Sequence, residues 1–286
     1  GAQALLYLAP EQRATDLVRG VGPAADVYAL GALAFQLWAQ WARPPTPGGR
    51  PVPPRLQALG DRMLCPDPAQ RPSMAEVATE LRRLADSAAA PGLHPTRPTP
   101  VVTAPEPPPS PDAPLLEDAP APLRGAGGRR KLGNFEIVRR LAAGGMGAVY
   151  EAIHPEIGRR AAIKIMHPQY RGDAATEERF ILETRAAARI HHDNVVGITD
   201  FGRTADGRMF FVMEYLEGED LARTLRREGP LPWRRAINMT RHVVRAMGEA
   251  HRRGVIHRDI KPGNCFRVTV NGDPDFIKVL DFGLAK

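Results

Sequence analysis

Residues 91 to 122 hold twelve of the chain's 29 prolines and not one aromatic side chain. Such a stretch cannot bury enough apolar surface to offset the entropy of ordering it, so it is expected to be an extended, mobile linker. Taken as residues 89–132, it divides the 286 residues into an amino-terminal block, 1–88, and a carboxyl-terminal block, 133–286. At roughly 3 Å per extended residue the linker reaches well past the width of a small domain, so the blocks are free to meet. Pro105 to Pro111 could also engage an aromatic groove, although a plain spacer is the simpler expectation.

The two blocks carry different periodicities. The amino-terminal block reads as helical and closes on Ser73-Met74-Ala75-Glu76-Val77-Ala78-Thr79-Glu80-Leu81. There Ser73 is placed to cap a helix, Glu76 completes a capping box, and the apolar spacing is helical. In the carboxyl-terminal block, Phe135 to Val138 and Ala148 to Ala152 read as strands around a glycine-rich turn. Ala161 to Ile165 and Met209 to Tyr215 read as further strands, Thr176 to Ile190 and Trp233 to Arg252 as helices. A strand-rich lobe followed by a helical lobe predicts a two-layer α+β fold.

Composition excludes more than it selects. With 43% hydrophobic and 25% charged residues the chain is globular. Its net charge of +7 comes from 34 arginines and only five lysines. They are dispersed, with no dense basic block and no interleaved aromatic platform, which argues against nucleic acid as a partner. Cys65 and Cys265 are too few and too far apart for a disulfide framework or a zinc site, and a reducing cytoplasm is expected. No apolar run approaches the roughly 18 residues of a spanning helix. The chain opens at Gly1 without a signal peptide, and both of its ends read as cut from something longer.

Chemistry-bearing motifs lie on either side of the linker. The carboxyl-terminal block has Leu141-Ala142-Ala143-Gly144-Gly145-Met146-Gly147-Ala148-Val149, Lys164 at the end of a strand, and Arg179-Phe180-Ile181-Leu182-Glu183. It continues with Met213-Glu214-Tyr215-Leu216, His257-Arg258-Asp259-Ile260-Lys261-Pro262-Gly263-Asn264, and Asp281-Phe282-Gly283. The amino-terminal block has Ala9-Pro10-Glu11, Asp26-Val27-Tyr28-Ala29-Leu30-Gly31, and Arg71 in Cys65-Pro66-Asp67-Pro68-Ala69-Gln70-Arg71-Pro72. Together these resemble the eukaryotic-type (Hanks-type) serine/threonine protein kinases of bacteria, with a bilobal α+β fold. The resemblance covers everything but the linker. The order of the motifs departs from it: Asp281-Phe282-Gly283 precedes Ala-Pro-Glu in the family and follows it here, so the activation segment is cut and its pieces are exchanged.

The resemblance implies the following roles. Asp259 would orient the substrate hydroxyl and Lys261 would neutralise charge on the transferring group. Asn264 and Asp281 would hold Mg²⁺ or Mn²⁺, since hard cations take oxygen ligands. ATP would lie under the loop carrying Leu141, Gly144 and Gly147, between Val149 and Ala162. Lys164 would touch its phosphates, paired with Glu183; Met213, Glu214 and Leu216 would form the gatekeeper and hinge, and Asp220 would meet the ribose. Ala142 replaces the family's first loop glycine, and Ala4 stands where a hydroxyl usually contacts the catalytic aspartate. Arg71 would pair with Glu11, and Asp26 would brace the catalytic loop.

Two arrangements follow, and the first is the preferred expectation. Residues 1–88 could be the tail of one kinase and 133–286 the front of the next, in tandem or as partners in a dimer. Alternatively, the amino-terminal helices dock on the carboxyl-terminal block as a circular permutant, with Asp26 within side-chain reach of the His257–Asp259 loop. The rival class is a catalytically impaired nucleotide-binding or interaction module. The implied reaction is transfer of the ATP γ-phosphate to protein serine or threonine.

Overall fold

The computed structural model describes residues 2–13, 21–38, 52–87, 123–124 and 130–282. All of the proline-rich stretch 91–122, the last four residues and much of the segment between Trp38 and Arg55 lie outside these ranges. Among the described residues of the amino-terminal block four α-helices form: α1 (Pro10–Arg13), α2 (Ala24–Trp38), α3 (Pro54–Met63) and α4 (Met74–Ser87). α2 is apolar nearly all round and is buried accordingly, with Leu30, Leu33 and Leu37 wholly inaccessible. α3 starts on Pro54, whose missing N–H costs nothing in a first turn. α4 presents Met74, Val77, Leu81 and Leu84 on one face. The expected capping box is in place: the Ser73 amide donates to Glu76 Oε2 (2.7 Å), and the Glu76 amide donates to Ser73 Oγ (3.3 Å).

The strand-rich half starts earlier than its composition suggests. β1 (Leu123–Arg124) and β2 (Arg130–Leu132) fall inside the span assigned to linker, yet they pair onto the edge of the sheet. There follow β3 (Phe135–Ala143), β4 (Gly147–Ile153), β5 (Arg160–Met166), helix α5 (Ala174–Ala188), β6 (Ile198–Arg203) and β7 (Met209–Glu214). The seven strands run in the order β1-β2-β3-β4-β5-β7-β6, each antiparallel to its neighbour. α5 begins two residues before Thr176 because the Asp173 side chain caps it, accepting from the Ala175 amide.

Past β7 the chain enters the helical layer with β8 (Gly218–Asp220), α6 (Leu221–Glu228), α7 (Trp233–Arg252), β9 (Cys265–Val270) and β10 (Asp273–Val279). β10, β9 and β8 make a small second sheet beneath the first. α7 buries Ile237, Val244 and Met247, the positions its spacing points inward.

The two blocks share one core. Leu30, Leu33 and Leu37 of α2 and Val77 and Leu81 of α4 belong to the same buried cluster as Met239, Val243 and Met247 of α7, Ile260 and Phe282. Backbone bonding crosses the join as well, the Leu231 amide donating to the Leu37 carbonyl (2.8 Å). Apolar area buried at this seam stabilises the docked arrangement at roughly 25 cal/mol per Å².

Candidate active site

The cleft between the layers is built around the turn from α7 to β9. This turn is irregular, and Arg258 adopts φ 66°, a left-handed backbone that costs a non-glycine residue about 1 kcal/mol or more. It is held there from the other block. The fully buried carboxylate of Asp26 accepts from the amides of His257 (2.8 Å) and Arg258 (2.7 Å) and from His251 Nε2 (2.8 Å). Gln12 Nε2 donates to the Arg258 carbonyl (3.1 Å), tying the loop to α1.

His257 links this loop to the segment before Asp281. Its Nδ1 accepts from the Asp259 amide (3.2 Å) and its Nε2 faces the Leu280 carbonyl (2.9 Å), a pair of bonds that fixes the Nε2–H tautomer. Its ring also packs against Phe282, the centroids 4.6 Å apart and the planes inclined by 43°. In turn the Leu280 amide donates to the Asn264 carbonyl (2.8 Å), which brings Asp281 alongside Asn264.

Within that frame the charged side chains converge. Asp259 accepts from Lys261 Nζ (2.6 Å) and from Asn264 Nδ2 (3.0 Å). Lys164 extends from β5 and donates to Asp281 Oδ1 at 2.8 Å. Asp281 is the second left-handed residue of the cleft, at φ 46°. Glu183, the expected partner of Lys164, lies on α5, and its side chain is outside the described residues. The partner found for Lys164 is Asp281.

The glycine-rich turn sits above Lys164. A Cβ on Gly147 would lie 2.3 Å from the Ile165 carbonyl oxygen, so the glycine is required by the close approach of β4 to β5. Gly144 closes the turn through its amide, which donates to the Gly147 carbonyl (2.9 Å). Ala142 stays in the ladder opposite Val149. His167 had no motif to mark it, yet its Nε2 meets the Gly144 carbonyl at 2.8 Å and its amide donates to the Met146 carbonyl, pinning the turn from β5.

At the back of the cleft Ala162 pairs with Met213 across β5 and β7. Glu214 Oε1 accepts from Lys278 Nζ (2.7 Å) and from the Gly197 amide, so its side chain crosses between the layers. Leu141 is partly exposed at the mouth. Asp220 caps α6, its Oδ1 accepting from the Arg223 amide (2.8 Å). Asn194 was likewise unmarked, and it joins the layers by donating to the Ile277 carbonyl and accepting from the Val279 amide.

Below the cleft, Arg71 grips Glu11 with two bonds (2.6 and 2.8 Å) and also donates to the carbonyls of Cys65, Ala24 and Pro66. Burial alone would raise the Glu11 pKa, but the hydrogen bonds and charge of Arg71 hold it below the usual carboxylate range. Among the described residues no cluster of three or more His, Cys, Asp or Glu could hold a metal ion by itself. No helix among them is long and apolar enough to cross a membrane.

The comparisons with known proteins bear on the carboxyl-terminal block. The protein kinase domain family matches residues 135–286, more than half of the chain, and the chain belongs to that family. It is similar to bacterial serine/threonine-protein kinases. One is pkn3 of Myxococcus xanthus, 39% identical over 152 residues, covering 53% of this chain and 28% of that protein. Pkn1 of the same organism is 41% identical over 174 residues, covering 61% and 24%. PknA of Mycobacterium tuberculosis is 38% identical over 158 residues, covering 54% and 36%. The chain thus spans about a quarter to a third of these relatives' length.

Proposed function

We propose that the chain is a serine/threonine protein kinase whose catalytic unit is one bilobal fold in permuted order, acting in the cytoplasm. Residues 1–88 would supply the back of the helical lobe, 89–132 the linker, and 133–286 the strand lobe, hinge and catalytic loop. The observation that carries this is the Asp26 carboxylate, which receives the two amides of the loop bearing Asp259 although 231 residues separate it from His257. A shared core supports the same reading over a tandem or dimeric arrangement.

In the proposed reaction a substrate hydroxyl oxygen bonds to the γ-phosphorus of ATP as the bond to the bridging oxygen breaks. Asp259 takes the hydroxyl proton, and Lys261, held against it, balances the charge gathering on the transferring group. ATP would lie between Val149 and Ala162 beneath Leu141, Gly144 and Gly147, its adenine facing Met213 and the backbone of Glu214 and Leu216. The second carboxylate oxygen of Asp220 would serve the ribose. Lys164 would pass from Asp281 to the phosphates with Glu183 as its partner.

The donor set suits Mg²⁺ or Mn²⁺. Asn264 commits its amide nitrogen to Asp259, which leaves its carbonyl oxygen as a hard donor beside the half-exposed carboxylate of Asp281. Two such groups fit a cation that takes its remaining ligands from phosphate and water. When bound, that ion would supply neutralisation of phosphate charge.

Purified chain with labelled ATP and a basic protein substrate tests the proposal. Incorporation should be abolished by Asp259→Asn with the fold retained. Nucleotide binding without incorporation by the unaltered chain would instead assign an interaction module.

A further inference from the structure

Away from the phosphate-transfer cleft, a cavity of about 810 Å³ opens where the two blocks meet. One wall is the start of α2 with the first turns of α4, and the facing wall is α7 with His192. Its floor is apolar, made by Val27, Met74, Ala78 and Val244, while Arg82, Arg245 and Arg252 ring it. Arg252 is bonded to Glu249, but among the described residues neither Arg82 nor Arg245 has an ion-pair partner. Of the acidic groups nearby, Glu76 accepts from the amide and hydroxyl of Ser73, Glu249 is held by Arg252 and Arg253, and Asp193 lies beside His192. Burial, aided by Arg245 and Arg252 against the opposing pull of Asp193 and Glu249, also lowers the pKa of His192.

A half-open cavity of this size can seat a small molecule. Two guanidinium groups without acidic partners select a carboxylate or phosphate and disfavour a cation. We propose that this cavity binds a small organic anion, an apolar body bearing one carboxylate or phosphate group, and that its occupancy steadies the catalytic loop. The coupling is short. His251 lines the cavity and is bonded to Asp26, the carboxylate that holds the His257 and Arg258 amides. A ligand touching both walls binds only the docked blocks and stabilises them by mass action. The inference rests on the permuted reading, because the site exists only at the seam.

Calorimetric titration of the full chain with 1-naphthyl phosphate and 1-naphthoate, in saturating non-hydrolysable ATP analogue, tests it. Both anions should bind one to one, with the tighter one identifying the head group. 1-Naphthylmethylamine and inorganic phosphate should bind at least tenfold more weakly. Arg245→Ala, at an exposed position, and Ala78→Trp, which fills the floor, should each raise Kd at least tenfold. Amide exchange at His257 and Arg258 should slow on binding. Equal binding by the amine or by inorganic phosphate, unchanged affinity in both variants, or exclusion by the ATP analogue overturns the proposal. If those two amides are protected without probe and no naphthyl anion binds, the cavity proposal alone fails. If they exchange freely, the permuted reading fails with it.

Discussion

Replacing Asp26 by alanine is the sharpest perturbation of the seam. The carboxylate is fully buried and receives two backbone amides at 2.8 and 2.7 Å as well as His251. Removing it leaves the His257 and Arg258 amides without an acceptor, and each buried donor so stranded costs about 1–3 kcal/mol. Together they amount to about 4 kcal/mol, with Asp26→Asn near half of that because an amide oxygen still accepts one bond. For an ordered body of this size 1 kcal/mol moves Tm by about 2–4 °C, so Asp26→Ala should lower it by about 8–16 °C. Differential scanning calorimetry reads the shift, and intrinsic tryptophan fluorescence, to which Trp38 of α2 and Trp233 of α7 contribute, reports whether the helical layer melts in the same transition. A fall below about 2 °C for both variants would refute the docking of the two blocks through this carboxylate.

Other consequences are open to simpler measurements. Gly147→Ala would drive a methyl into the Ile165 carbonyl; overpacking of this kind should cost about 1–3 kcal/mol in thermal stability and weaken ATP binding, whereas a free alanine variant would show that β4 does not approach β5 so closely. Glu228 is held to about 2, burial opposing but outweighed by hydrogen bonds from Arg235 and Arg227 and the charges of Arg235 and Arg267. Its folded pKa lies below the ordinary 4.5, so its contribution is complete above pH 4.5 and drains away as the pH falls towards 2; Glu228→Gln should flatten the acid limb of a stability-against-pH curve in that window, and an unchanged limb would contradict the pairing. Burial pushes the Cys265 thiol up to about 12, so iodoacetamide at pH 8 should label the partly exposed Cys65 and spare Cys265 until the chain unfolds, as mass spectrometry of native and denatured samples would reveal.

Local features of this protein were plain from its residues. The boundaries of α7, the Ser73–Glu76 box and the strand carrying Lys164 follow from periodicity and capping, which involve only neighbouring residues. The Arg71–Glu11 grip was legible because both neighbourhoods carried recognisable patterns. Less was visible where a residue acts through a distant backbone group. His167 and Asn194 have no spacing that announces them, since each meets carbonyls or amides far along the chain. The Leu123–Arg124 and Arg130–Leu132 strands lie in a stretch whose composition favours no regular structure, and they form because an existing sheet edge offers partners.

The amino-acid order by itself marked the groups proposed to handle a nucleotide and the helices and strands that carry them, because such patterns are bound to residue type and short spacing. Only the tertiary structure decided that Asp26 reaches the His257 and Arg258 amides of the same chain, as one of the two expected arrangements required, that Lys164 faces Asp281, and that an arginine-ringed cavity opens at the join. Those outcomes depend on how two blocks bury a common core, and burial between segments far apart along the chain leaves no periodic trace in either.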